Sequence, residues 1–319
     1  MQYIYEAEIA IDAAKQAASL CESVRHSLEF ASVNKADRSP VTIADFAAQA
    51  VICHQLKKAF PEDAIVAEES AALLYESPAQ RSKVAELVQT VIPDATPEQV
   101  TAWIELGQGE VGERFWTLDP IDGTKGFLRG DQYAIAIALI ESGEVKLGVI
   151  ACPAFEEGCL FVAIRGQGTR RISLKTSESQ AIRVSVGTCL AESVETSHGD
   201  PDRQRSIAQT VGITSRFQMD SQAKYGAIAS GHAALYLRLP WVENPNYREN
   251  IWDHAAGAII VEEAGGQVSD MNGQPLNFSI AAQLIENRGI VASNRAIHEA
   301  VLNAIIQTNK LDDSEPPAS

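Results

Sequence analysis

An apolar run from Phe115 to Leu118 leads without a break into Asp119-Pro120-Ile121-Asp122-Gly123-Thr124. The run reads as a strand that delivers Asp119 to its C-terminal end. Pro120 fixes one backbone torsion and Gly123 permits a tight bend, so the spacing predicts both acids on one turn with the Ile121 carbonyl between them. Two carboxylates and a carbonyl are hard oxygen donors, the kind that Mg²⁺ takes. If a helix starts after Gly123, its first N–H groups can receive a phosphate. Asp, Pro and Gly are also common in ordinary turns, so the spacing by itself leaves a plain turn open.

Three further stretches carry the same ambiguity. Val66-Ala67-Glu68-Glu69-Ser70 ends a short apolar strand in two acids, which are either ligands or simply solvated. Trp252-Asp253-His254-Ala255-Ala256-Gly257 opens a helical pattern, where Asp253 is a natural N-cap. Thr42 and Asp45 in Pro40-Val-Thr-Ile-Ala-Asp45 have the spacing of a capping box. Arg238 lies inside the apolar run Tyr236-Leu-Arg-Leu-Pro240, so its charge must leave on the solvent face or meet an anion. Ser221 reads as a cap for the helix that follows, Lys224 as an exposed charge, and His198, beside Gly199 and Asp200, as a loop residue.

Periodicity supplies the frame. A helical face recurs at Ile9, Ala13, Ala17, Leu20, Val24 and Leu28, then a polar break from Asn34 to Pro40, then a second helix over about Thr42 to Phe60. Ala71 to Gly112 reads as mostly helical, with loops near Pro93 and Gly107. Tyr133–Ile140, Val145–Ala151 and Cys159–Ile164 follow as closely spaced strands, an antiparallel meander. Strands and helices then alternate: Arg183–Val186, Arg203–Val211, Ala223–Ser230, Ala234–Leu239, Asp253–Ala264, Ile290–Ala292 and Arg295–Gln307. The expected fold class is therefore α/β, with an α+β N-terminal lobe (1–180) holding an antiparallel sheet and an α/β C-terminal lobe (181–310). The acidic, proline-rich end, 311–319, reads as a disordered tail.

A chain of 319 residues can bury a sizeable core in two lobes. The net charge of −16 speaks against a nucleic-acid polymer or an acidic membrane as partner, since both demand a basic face. Five scattered cysteines without a CxxC pair, no apolar run of membrane-spanning length, and early acids at Glu6, Glu8 and Asp12 set the expectation of a cytoplasmic protein with reduced thiols.

Taken together, VTIAD, VAEES, WTLDPIDGTKGF and WDHAAGAIIVEEAGG, in that order across most of residues 5–305, resemble the lithium-sensitive, Mg²⁺-dependent phosphatase family of inositol monophosphatase. KADRSPVTIADFAAQ, FWTLDPIDGTKGFLRG, DSQAKY and YLRLP are closer to its bisphosphate nucleotidase branch. The resemblance implies a layered αβαβα sandwich. It also implies two or three Mg²⁺ ions held by Glu68, Asp119, the Ile121 carbonyl, Asp122 and Asp253, with inhibition by Li⁺. Asp45 and Thr124 would polarise the attacking water, with no phosphoenzyme. Gly123, Thr124, His198, Ser221, Lys224, Arg238 and Asp253 would meet the substrate. Ala67 stands where the family usually has Gly, a small change of little expected effect. The implied partner is a small nucleotide with a 3′-phosphate beside a 5′-phosphate, the bisphosphate or its sulfate-carrying analogue. An inositol-phosphate phosphatase and a catalytically inactive nucleotide sensor are the rival readings, and the full acidic set argues against the second. The sequence does not fix the oligomeric state.

Overall fold

The structure, a computed structural model, describes residues 2–26, 32–34, 40–195, 199–241 and 243–312. The last seven residues of the expected tail lie outside them, whereas Leu311 and Asp312 continue the final helix.

The chain opens with α1 (Ile4–His26), the strand pair β1 (Ser32–Asn34) and β2 (Pro40–Thr42), and α2 (Ile43–Ala59). The polar break is thus flanked by a short antiparallel pair, Val33 opposite Val41. Helices α1 and α2 bury alanines toward each other and the sheet, among them Ala10, Ala14, Ala17, Ala44 and Ala48. Such small side chains let helix axes approach closely. After β3 (Ala64–Ala67) come α3 (Ala72–Glu76), α4 (Pro78–Gln89) and α5 (Pro97–Glu105), the helical stretch expected there.

A sheet of seven strands follows in the order β3-β4-β5-β6-β7-β8-β9. The remaining strands are β4 (Arg114–Asp122), β5 (Ala134–Glu141), β6 (Glu144–Cys152), β7 (Cys159–Ile164), β8 (Thr169–Ser173) and β9 (Ser179–Ile182), with α6 (Thr124–Arg129) between β4 and β5. From β4 onward the pairing is antiparallel, as the meander predicts, but β3 pairs parallel to β4, so the sheet is mixed. The expected strand Arg183–Val186 does not form. The chain leaves β9 at Ile182 and next pairs at β10 (Cys189–Glu192); Val184 packs on the core between the sheets but gives its N–H to the Ala264 carbonyl instead of to a strand.

The second sheet has the order β11-β10-β12-β14-β13, built from β10, β11 (Ser215–Gln218), β12 (Leu235–Arg238), β13 (Gln267–Ser269) and β14 (Ile290–Ser293). Its helices are α7 (Pro201–Thr210), α8 (Ala223–Ala229), α9 (Ala255–Glu263) and α10 (His298–Asp312). Between the sheets, α8 and α9 bury Tyr225, Ile228, Ile259 and Ile260 against Phe161 and Tyr236. The outer face is closed by α7 and α10 through Ile207, Val301 and Ile305. Five layers result: helices, sheet, helices, sheet, helices. Among the described residues no helix is long and apolar enough to cross a membrane.

Candidate active site

The Asp119–Asp122 stretch is not a turn after the strand, as the spacing predicted, but a bulge within β4. Asp119 opposes Ala136 and Asp122 opposes Ala134, so the β4 side takes one residue more than β5 between those pairs. Pro120 has no N–H to give the ladder, so it is tolerated at such a bulge, and the extra residue re-aims both acids. Ile121 N–H donates to Asp119 Oδ1 at 3.0 Å, which fixes the first carboxylate. Gly123 follows at φ 88°, a conformation that favours glycine, and a Cβ there would press on the Cβ of Ser221 at 3.1 Å. The six-residue helix α6 then starts at Thr124.

Asp253 reaches the same place from the other half of the chain. It closes a 3-10 turn, Ile251–Asp253, and the N-cap position of α9 is His254, without a side-chain cap. The capping role open to Asp253 on sequence grounds is therefore not taken. Its carboxylate instead comes together with those of Asp119 and Asp122, one oxygen of each lying within 4.8 Å of the others. Glu68, at the end of β3, approaches Asp119 closely enough to share a hydrogen bond.

Burial, and then the charges of Glu68, Asp122 and Asp253, hold Asp119 well above the usual carboxylate range. Burial raises Asp253 in the same way, against Arg238, with Asp122 and Glu68 adding to the rise. Burial also raises Asp122, although Lys224, Arg238 and the N–H of Gln222 oppose it. Carboxylates so crowded cannot all carry charge without a cation among them. Oxygen donors in that number and spacing fit a metal ion.

Asp45 serves two elements at once. Its Oδ2 accepts from Thr42 N–H at 2.8 Å and Thr42 Oγ1 at 2.6 Å, completing the capping box of α2. Its Oδ1 accepts from the Thr124 hydroxyl at 3.2 Å. The same hydroxyl lies 3.2 Å from the Ile121 carbonyl oxygen, and with one proton it can satisfy only one of the two. The capping spacing and the pairing with Thr124 are thus two uses of one buried side chain.

The expected substrate contacts divide. Ser221, at φ 68°, accepts from Ala223 N–H at 3.2 Å, so its hydroxyl serves the entry into α8. Lys224 is not an exposed charge. It is 2% exposed, donates to the Met219 carbonyl at 3.2 Å and stands 5.1 Å from the Tyr236 ring centre. Burial lowers its pKa to about 8, against the pull of Asp122 and Asp220. Arg238 pairs with Glu249 at 2.7 Å and lines a cavity of about 160 Å³ with Trp241 and Tyr247. His198 lies outside the described residues.

The structure adds residues that the motifs did not single out. Gln49 brackets the backbone of Glu69, accepting from its N–H at 3.0 Å and donating to its carbonyl at 2.6 Å, and so pins the acidic pair. It lies one helical turn beyond Asp45, a spacing that placed it on the same face. Gln222 donates its N–H to Asp122 Oδ2 at 2.6 Å and its side chain to the Trp252 carbonyl at 2.9 Å, tying the β4 bulge to the 3-10 turn. Glu249 gave no local signal, because its partner lies across a loop.

Residues 4–310 match the Inositol monophosphatase family. This chain belongs to that family. Among its relatives are the 3′(2′),5′-bisphosphate nucleotidase of Schizosaccharomyces pombe, 39% identical over 98% of both chains, and that of Emericella nidulans, 40% identical over 98% of this chain and 100% of the other. A 3′(2′),5′-bisphosphate nucleotidase of Oryza sativa is 41% identical over 94% of each. Among solved structures, the Thermotoga maritima IMPase superposes with a TM-score of 0.68 at 24% identity, covering 97% of this chain and 99% of its own. The inositol monophosphatase from Anabaena gives 0.64 at 22%, covering 96% and 97%. The layered sandwich of this family member is therefore the inositol monophosphatase fold, as its motifs implied.

Proposed function

We propose that this family member is a magnesium-dependent 3′(2′),5′-bisphosphate nucleotidase, a phosphomonoesterase that takes the 3′-phosphate from 3′-phosphoadenosine 5′-phosphate and leaves AMP. One observation carries the reading: Asp122, a member of the acidic trio, also lies in the field of two cations, the buried Lys224 and the half-buried Arg238. A substrate with a single phosphate needs only the acidic trio and its metal. A second phosphate needs a cationic cradle, and an arginine supplies paired donors for one. The names borne by the relatives at 39–41% identity support the same substrate.

Glu68, Asp119, the Ile121 carbonyl, Asp122 and Asp253 would hold Mg²⁺. When bound, the metal supplies positive charge against the phosphate oxygens and Lewis acidity for the displacement. The chain's own residues do the rest. If the Ile121 carbonyl holds a cation, the single Thr124 proton would go to Asp45, leaving the hydroxyl lone pairs to orient the attacking water. Asp45, held by both donors of Thr42, stays in place to draw off that water's proton. The water oxygen bonds to phosphorus, the bond to the 3′-oxygen breaks, that oxygen takes a proton from solvent to become the 3′-hydroxyl of AMP, and no side chain carries the phosphate. Li⁺, a small hard cation, competes for a Mg²⁺ position. A cytoplasmic setting fits five free cysteines.

Phosphate release from 3′-phosphoadenosine 5′-phosphate, adenosine 3′-monophosphate and inositol 1-phosphate, each with and without Mg²⁺, tests the reading. The expected result is Mg²⁺-dependent release, fastest from the bisphosphate. A preference for the inositol ester overturns the substrate assignment.

A further inference from the structure

Behind Arg238 runs a chain of buried polar groups that the hydrolysis itself does not use. Glu249 stands just before the 3-10 turn, its carbonyl accepting from Leu284 N–H at 2.8 Å. Its Oε2 meets Arg238 Nε at 2.7 Å and His254 Nε2 at 3.3 Å. His254 Nδ1 lies 2.7 Å from the Tyr225 hydroxyl. Tyr225 is wedged in turn, because a Cβ on Gly257 would fall 2.2 Å from its ring.

The chemistry sets the direction of this chain. Glu249 presents Oε2 to two nitrogen donors at once, Arg238 Nε and His254 Nε2, the setting of a carboxylate that accepts. An ionised carboxylate only accepts, so His254 Nε2 carries a hydrogen and donates it. With Nε2 donating, the neutral ring has Nδ1 left to accept from the Tyr225 hydroxyl at 2.7 Å. Tyr225 therefore donates to His254 and His254 to Glu249, and the chain ends on the guanidinium of Arg238.

We infer that Glu249, held by His254 and Tyr225, is the positioning residue that fixes Arg238 for the second phosphate and so sets the preference for bisphosphate over monophosphate nucleotides. The inference rests on the reading of Arg238 given under the proposed function. Arginine is a long side chain with many rotamers, and an anion that binds a free one must first order it. The contact with Glu249 is an ion pair through Nε at 2.7 Å, and the Tyr236 and Tyr247 hydroxyls stand against the same guanidinium. Glu249 also brings a negative charge, which opposes phosphate binding. The two effects have opposite signs, so removing the charge without changing the shape tells which one governs.

The experiment measures kcat and KM for 3′-phosphoadenosine 5′-phosphate and for adenosine 3′-monophosphate in the wild type, Glu249→Gln, Tyr225→Phe, Arg238→Ala and the double variant Arg238→Ala/Glu249→Gln. Glu249→Gln is expected to raise KM for the bisphosphate roughly tenfold, with KM for the monophosphate and both kcat values changed by less than about twofold. Tyr225→Phe is expected to shift the same KM in the same direction by a smaller factor, about threefold. The double variant should be no worse than Arg238→Ala alone, because its two changes remove one function. Unchanged or tighter bisphosphate binding in Glu249→Gln overturns the inference. So do equal losses on both substrates, the mark of a merely structural role, and additive losses in the double variant. If Arg238→Ala is selective for the bisphosphate and Glu249→Gln is not, only the positioning role falls. If Arg238→Ala is itself unselective, the reading of Arg238 falls first and the inference with it.

Discussion

Replacing Asp45 with Asn separates its two uses. Asp45 is fully buried, with Oδ2 accepting two hydrogen bonds from Thr42 and Oδ1 accepting one from Thr124. An Asn that keeps its oxygen toward Thr42 presents an amide to Thr124, which must then turn its hydroxyl to accept. The two bonds from Thr42 survive but lose their charge, at about 1 kcal/mol each, so the stability cost is at most about 2 kcal/mol. The relief of no longer burying a charge reduces it further. At roughly 2–4 °C per kcal/mol, Tm should fall by no more than about 8 °C. Activity should fall far more, by about 10²–10⁴-fold in kcat, because the water loses its proton acceptor. Thr42→Ala is the control. It removes the cap at a comparable cost of about 1–2 kcal/mol but leaves the carboxylate facing Thr124, so most of kcat should remain. Calorimetry and steady-state turnover on the two variants decide it. If Asp45→Asn turns over within about threefold of wild type, or if Thr42→Ala loses as much kcat as Asp45→Asn, the assignment of Asp45 to the water is wrong.

Three other outcomes follow from the same geometry. Asp122→Asn keeps the fold and loses nearly all activity, and Mg²⁺ should raise the Tm of the wild type by calorimetry but not that of the variant. Li⁺ titrated at fixed Mg²⁺ should inhibit where K⁺ at equal ionic strength does not; equal responses would count against a small-cation site. His298 is buried between Ser269 and Ser293, at 2.9 and 2.8 Å, and burial lowers its pKa to about 4. Its folded form resists the proton that the unfolded chain takes up, so stability present above the ordinary histidine pKa is lost as pH falls from about 6.5 toward 4, by roughly 3 kcal/mol at most. His298→Gln should flatten that part of the Tm–pH curve, and an identical slope in wild type and variant would remove His298 as its cause.

Much of the acidic cluster was legible because its carboxylates sit at or near strand and helix ends that local patterns mark. Asp122 and Glu68 close apolar strands, Asp119 follows the apolar run of one of them, and Asp253 comes just before a helix. Sequence could not distinguish a turn from a bulge at Pro120, since the two differ only in whether β5 continues to pair beyond Asp119. Nor could it tell that Asp45 both caps α2 and meets Thr124, because the second contact joins residues 79 positions apart. Lys224 looked exposed because lysine usually is. Its burial follows from Asp122 and Asp220 lying close enough to offset its charge, a tertiary fact. Strands β8, β9 and β13 are short and half polar or near an edge, where alternation is faint.

The most direct test of the account is the identity of the product formed from 3′-phosphoadenosine 5′-phosphate and Mg²⁺, resolved by chromatography against authentic standards. In the proposed reading the acidic trio takes the 3′-phosphate and Arg238 retains the 5′-phosphate, so the product should be adenosine 5′-monophosphate with one equivalent of inorganic phosphate. Adenosine 3′-monophosphate as the product, or no turnover beside rapid release from inositol 1-phosphate, would contradict it.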